Sequence, residues 1–198
     1  MLTGIENTYP LSIRIMSYNL IAISGSLREK SINTQLAHVL KELAPAGTTI
    51  DVVSIADVPL YNQDQDAAFP AGAQAFKDRV RGADGIIIVT PEYNRSIPGV
   101  LKNAIDWASR PYGDNAFAGK PVYVLGASSS PVGTALAQYD VKKVMLYLDA
   151  HVLGQPESFI TGVPATNLYE NGTITDEATR ANLQKALTTF VAHIENVG

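Results

Sequence analysis

Residues 19–34 read "NLIAISGSLREKSINT". Leu20 to Ile23 run apolar without alternation, as a parallel strand covered on both faces must. Then come Gly25, hydroxyls at Ser26, Ser31 and Thr34, the guanidinium of Arg28 and the amide of Asn33. A helical pattern follows, with Leu36, Val39, Leu40 and Leu43 at i, i+3, i+4 and i+7, closed by Pro45 and Gly47. Helix N-termini bind anions through free N–H groups and the helix dipole. The dinucleotide fingerprint G-x-G-x-x-G fails, because Leu27 stands at its second Gly. A Walker A loop fails too, because Lys30 stands at its second Gly and Ser31 at its Lys. The remaining donor set suits a phosphate monoester held without a metal.

The same strand–loop–helix rhythm recurs. Strand patterns lie at 49–55 (TIDVVSI), 85–90 (GIIIVT), 121–127 (PVYVLGA) and 151–160 (HVLGQPESFI). Helical patterns lie at 73–83, with Phe76 and Val80 on one face, and at 98–109, with Leu101, Ile105 and Ala108 grouped behind Pro98. A third spans 134–149, with Leu136, Val144 and Leu148 aligned. A fourth spans 176–196, with Asp176 at its cap and Leu183, Leu187, Phe190, Val191 and Ile194 in line. Five strands alternating with five helices predict a doubly wound α/β fold. The pattern alone leaves open a dinucleotide-type or a flavodoxin-type strand order. In either, ligands sit outside the carboxyl ends of the strands, where the order reverses.

One domain is expected of 198 residues, and a chain of that length buries roughly 70% of the surface that unfolding exposes. Residues 1–15 read as an N-terminal extension and 16–198 as the domain. The net charge of −4 argues against a nucleic-acid partner, which calls for a basic patch. No apolar run reaches the ~18 residues of a membrane span, so a cytoplasmic protein is expected. With no cysteine, thiol nucleophiles, disulfides and thiolate metal sites are excluded, and redox chemistry must belong to a bound cofactor. The three histidines, His38, His151 and His193, sit within helix patterns or at a strand start, away from the ligand-facing loops.

Two further loops face that edge. "TPEYNRSIPGVLKNAIDW" (90–107) offers N–H groups from Glu92 to Ser96 to the rim of a planar heterocycle, with Tyr93 beside it. Trp107, one helix deep, reads as core, and Lys102, Asn103 and Asp106 as residues that hold helix and loop in place. "GASSSPVGTA" (126–135) sets Ser128, Ser129 and Ser130 before Gly133 and a helix. It is a weak signal alone and stronger as the third polar loop on one edge.

Together these three segments resemble the NADPH-dependent FMN reductase family, a flavodoxin-like family that includes quinone, chromate and azo reductases. The similarity runs from about Ser17 to the last helix. It implies a flavodoxin-like three-layer sandwich with a five-stranded parallel sheet in the order 2-1-3-4-5. It implies FMN, NADPH or NADH as co-substrate, and a homodimer or homotetramer. It places Ser26, Arg28, Ser31, Asn33 and Thr34 at the FMN phosphate, Pro91, Glu92, Tyr93 and Asn94 at the isoalloxazine and ribityl chain, and Ser128 near the flavin. No protein group is expected to be catalytic, since the flavin performs the chemistry. The third loop departs from the family pattern, with Ser129, Ser130 and Pro131 and a single Gly133 where a Gly pair is common.

The activity so implied is ping-pong hydride transfer from NAD(P)H through FMN N5 to quinones, azo dyes, chromate or free flavin. Two other readings compete: a flavodoxin-type electron carrier without NAD(P)H turnover, and a nucleotide-binding regulator. Apolar residues in the third and fourth helices (Leu101, Ile105 and Trp107; Val144 to Leu148) exceed what one sheet face needs, and this points to a subunit interface.

Overall fold

The computed structural model describes residues 17–162 and 174–198. The expected extension over residues 1–15 lies outside them. The strands are β1 (Tyr18–Ser24), β2 (Thr48–Val53), β3 (Gly85–Val89), β4 (Pro121–Ala127), β5 (His151–Val152) and β6 (Phe159–Ile160). The helices are α1 (Ile32–Glu42), α2 (Ala71–Gly82), α3 (Gly99–Ala108), α4 (Ala135–Tyr147) and α5 (Glu177–Val197).

All strand pairs are parallel and the order is β2-β1-β3-β4-β5, with β6 also paired to β4. From β1 the chain builds outward to β2 on one side, then crosses back to β3 on the other. The order therefore reverses between β1 and β3. Successive side chains point to opposite faces. Leu20, Ala22, Ile87, Val89, Tyr123 and Leu125 pack under α1 and α5, while Ile21, Ile23, Ile86, Ile88, Val122 and Val124 pack under α2, α3 and α4. Three layers result, as the flavodoxin-like expectation has it.

Three expectations need correction. The fifth strand is two short strands, so the sheet has six. β5 pairs with the start of β4 and β6 with its end, and Gly154 and Pro156 lie between. Proline has no N–H for the ladder, so one continuous strand is not available there. In α4 the buried stripe is Ala137, Val141 and Met145, not Leu136, Val144 and Leu148 together. Leu136 is exposed and only Leu148 of that trio is buried. The surplus attributed to α3 also disappears, because Leu101, Ile105 and Trp107 are all buried in their own core. Met145 and Leu148 join them, which leaves Leu146 and Tyr147, with Leu136 and Tyr139, as the exposed apolar side chains of α4.

Trp107 anchors the long loop after β2. Its indole N–H donates to the Pro59 carbonyl at 2.8 Å, and the rings of Tyr61 and Phe69 meet it edge-on at 5.0 and 4.9 Å. Asn103 secures the same loop, donating to the Pro59 carbonyl and accepting from the Tyr61 N–H.

Candidate functional site

The first loop leaves β1 in contact with the second. The Gly25 N–H donates to the Val89 carbonyl at 2.9 Å. A Cβ on Gly25 would lie 3.0 Å from Leu101 Cδ2 and 3.1 Å from Pro91 Cδ, so a side chain there would push the two loops apart. Ser24 and Thr34 share a hydroxyl hydrogen bond at 2.7 Å, tying the end of β1 to the first turn of α1. Ser31 is the N-cap of α1, and its hydroxyl accepts from the Thr34 N–H at 3.3 Å. That leaves the first-turn amides of Ile32 and Asn33 without intrahelical partners. The Ser26 hydroxyl accepts from the Arg28 N–H at 3.2 Å and keeps its own proton to donate. Arg28 is exposed, and its guanidinium has no ion pair or hydrogen bond among the described residues.

Asn33 is different. It is 3% exposed, and its side chain both donates to the Ala127 carbonyl at 3.0 Å and accepts from the Ala127 N–H at 2.9 Å. Gly126 in β4 and Ser128 just after it turn their N–H groups to the β6 side. Ala127 therefore faces the β3 side, where β3 has already ended at Val89. The Asn33 amide stands in for the missing strand.

In the second loop, Tyr93 and Ser96 exchange backbone hydrogen bonds at 3.2 and 3.1 Å. The intervening Asn94 and Arg95 take left-handed φ angles of 52° and 66°, the geometry of a tight hairpin turn. Tyr93 is half-exposed at the rim and Pro91 is buried. The Glu92 side chain is turned away from the edge. Its carboxylate accepts from the N–H groups of Leu136 and Ala137 at 3.0 and 3.2 Å, and Arg95 lies 3.5 Å from its other oxygen.

The third loop is built from serine turns. The Ser128 hydroxyl accepts from the Ser130 N–H and the Ser130 hydroxyl from the Val132 N–H, while Gly133 closes the loop with φ of 64°. The Ser128 N–H donates to the Ile160 carbonyl at 3.0 Å, so β6 supports the loop from beneath.

Three loops, a guanidinium with no partner among the described residues and the free first-turn amides of Ile32 and Asn33 thus lie at the edge where the strand order reverses. Residues 18–164 match the family described as NADPH-dependent FMN reductase. The chain belongs to this family.

The reductase is 46% identical over 181 residues to a 2-hydroxy-1,4-benzoquinone reductase of a Burkholderia species, covering 91% of this chain and 98% of that relative. It is 42% identical over 181 residues to a quinone reductase of Escherichia coli strain K12, covering 89% and 95%. Among solved structures it is similar to the flavoenzyme NAD(P)H:(acceptor) oxidoreductase FerB of Paracoccus denitrificans, at 40% identity and a TM-score of 0.85, covering 91% of this chain and 99% of that one. The reductase is an oxidoreductase enzyme, and the reading as an electron carrier is not favoured.

The donor set fits FMN. Hydroxyls, free amides and one cation suit a phosphate dianion, and the carboxylate of the second loop, Glu92, is already matched by the N-terminus of α4. Among the described residues no group of three His, Asp or Glu side chains is placed to hold a metal ion. His38 is exposed on α1, and His193 bonds the His151 carbonyl at the opposite end of β5, so the histidines of the reductase stay clear of the three loops.

Two features of the site escape a linear reading. Gly126 lets β4 pass under the second loop: a Cβ there would sit 2.2 Å from both the Thr90 carbonyl oxygen and the Thr134 hydroxyl. A glycine inside a strand pattern is the available signal for such an approach. Ser96 donates to Asp140 at 2.7 Å, a second tie between loop and α4 that no local pattern announces.

Proposed function

We propose that this chain reduces quinone-type small molecules with NAD(P)H through FMN held between the three loops. The observation that carries the reading is the polar loop at the point of strand reversal, where, among the described residues, the Arg28 guanidinium and the amides of Ile32 and Asn33 have no partners. The phosphate is assigned to Ser26, Arg28 and Ser31 with the free first-turn amides of Ile32 and Asn33, while Thr34 holds the cradle through its bonds to Ser31 and Ser24. The ring and ribityl chain are assigned to the backbone of Pro91, Glu92, Tyr93 and Asn94, with Ser128 on the far side. The Asn33 and Glu92 side chains serve this site by holding its walls.

The chemistry that FMN supplies when bound is two-electron transfer from NAD(P)H to an acceptor. The chain supplies placement. The first loop fixes one end through charge and hydroxyls. The Tyr93–Ser96 turn, closed by its own two hydrogen bonds, fixes the remaining amides of Glu92, Asn94 and Arg95, and the open rim beside Tyr93 lets flat donors and acceptors approach in turn. Stacking within roughly 3–3.5 Å accounts for much of the rate in such sites. No acid or base is needed from the protein, which agrees with histidines that stay clear of the loops.

The reductase works in the cytoplasm as a homodimer or homotetramer, with no nucleic-acid or membrane partner. Leu136, Tyr139, Leu146 and Tyr147, exposed along α4, support an interface on that helix. No helix of the described residues is long and apolar enough to cross a membrane. Anaerobic mixing of the protein with FMN and NADPH tests the activity. Rapid bleaching of the flavin, reversed by added benzoquinone, is expected. Bleaching no faster than without protein would leave the reductase reading without support. Light scattering at micromolar protein tests the assembly, and a monomeric mass rejects it.

A further inference from the structure

The N-terminus of α4 lacks a cap of its own. Its N-cap residue, Thr134, makes no capping bond. The Thr134 hydroxyl is fully buried, accepts from Gln138 Nε2 at 2.9 Å and is wedged against Gly126. The cap comes instead from Glu92, 44 residues earlier, whose Oε2 takes the N–H groups of Leu136 and Ala137. A carboxylate at a helix N-terminus is favoured both by the free amides and by the dipole. One turn further on, Ser96 donates to Asp140. The two ties bracket the Tyr93–Ser96 turn. That turn holds two non-glycine residues in left-handed conformation. Such conformations persist only where the surroundings over-determine them.

We propose that Glu92 is a positioning residue that locks the second loop to α4 and thereby sets the row of amides at residues 92–96. This rests on the FMN reading for its purpose, but not for its measurement. Capping by a distant loop joins the second and third walls of the site into one rigid unit. Were Glu92 only a helix cap, its loss would fray α4 and leave the turn intact. Were it a coupling residue, the turn would loosen with the helix end.

Amide hydrogen exchange on the flavin-free protein separates the two. In Glu92→Ala, protection is expected to fall on the order of tenfold or more at Leu136 and Ala137 and also at Tyr93 and Ser96, whose amides donate to each other's carbonyls. The FMN dissociation constant, read by flavin fluorescence, is expected to rise about tenfold. Glu92→Gln keeps a carbonyl acceptor for the same two amides, so it should recover most of the protection and most of the affinity. Unchanged protection at Tyr93 and Ser96 in Glu92→Ala, with loss confined to α4, overturns the proposal. Should Glu92→Ala not fold, Glu92→Asp, one methylene too short to reach both amides, takes its place: loss at Tyr93 and Ser96 as well as at α4 supports coupling, and loss confined to α4 overturns it. If the wild-type protein binds no FMN, the functional reading fails, and the exchange data alone still judge the coupling.

Discussion

Replacing Asn33 by alanine separates a residue that touches a ligand from one that holds the fold. Asn33 makes two hydrogen bonds to one backbone unit, Ala127, and both are buried. Ala127 is 2% exposed and its N–H and C=O face the side of β4 that β3 no longer covers. Asn33→Ala removes both partners at once. Each buried backbone group left unsatisfied costs about 1–3 kcal/mol, so the pair costs roughly 2–6 kcal/mol, with ~3 kcal/mol a fair centre once water partly repairs the site. That is a large part of the 5–15 kcal/mol that a domain typically has. With a urea m-value of about 2–3 kcal/mol/M, the midpoint should drop by about 1 M at unchanged m.

The single tryptophan, Trp107, is fully buried among Tyr61 and Phe69 and reports the transition through its fluorescence. The measurement is made without flavin, so lost ligand binding cannot mimic lost stability. Asn33→Asp should be at least as damaging: it keeps the acceptor for the Ala127 N–H but sets a negative charge against the Ala127 carbonyl. A midpoint within about 0.2 M of wild type, corresponding to under ~0.6 kcal/mol, would refute the strand-surrogate role. If that result came with a tenfold weaker flavin affinity, Asn33 would belong to the phosphate site by direct contact.

Arg28→Ala should behave in the opposite way. The urea midpoint should not move, because the guanidinium has no partner among the described residues, while the FMN dissociation constant should rise about 10- to 100-fold for the loss of ~1.5–3 kcal/mol of charge-assisted bonding; an unchanged constant in a fluorescence titration removes Arg28 from the site. Asp114 predicts an acid sensitivity: its hydrogen bond with the buried Lys77 ammonium, at 2.9 Å, together with that from Arg81, holds its carboxyl below the ordinary value. A depressed folded value means that the stabilisation is complete above the unfolded carboxylate range near pH ~4 and is lost as pH falls through the folded value. Asp114→Asn should therefore lower the urea midpoint at pH 7 and flatten the decline below pH ~4 that the wild type shows. Equal acid slopes in both proteins would show that the pair does not contribute.

The sheet and four of its helices are legible in the chain because their signal is local. Leu20–Ile23, Ile86–Val89 and Val122–Leu125 run apolar without alternation, as strands covered on both faces must. The stripe Leu36, Val39, Leu40 and Leu43 is buried as its spacing requires. α4 is less legible: it lies close against the sheet, so its contact face uses Ala137, Val141 and Met145, and the larger Leu136 and Leu146 face outward. Hydropathy ranks the leucines first and so points to the wrong stripe. Lys77 shows the same limit from the polar side. It occupies a buried position on α2 beside Phe76, and its ammonium is satisfied by the Arg110 carbonyl and Asp114, more than 30 residues on.

Polar residues at the ligand edge carry the sharpest ambiguity. Asn33, Glu92 and Arg28 all stand in loops or first turns beside the strand ends, and each has the donors or acceptors that a flavin site needs. In sequence, a residue that caps the chain's own backbone and one that binds an anion look alike, since both answer unsatisfied amides or charge at the end of an element. Their partners distinguish them. Asn33 is used up by Ala127, at the end of β4, and Glu92 by α4, 44 residues on. Arg28, with no partner among the described residues, is the one side chain of the three whose charge is not answered there, and that is why the phosphate is proposed for it.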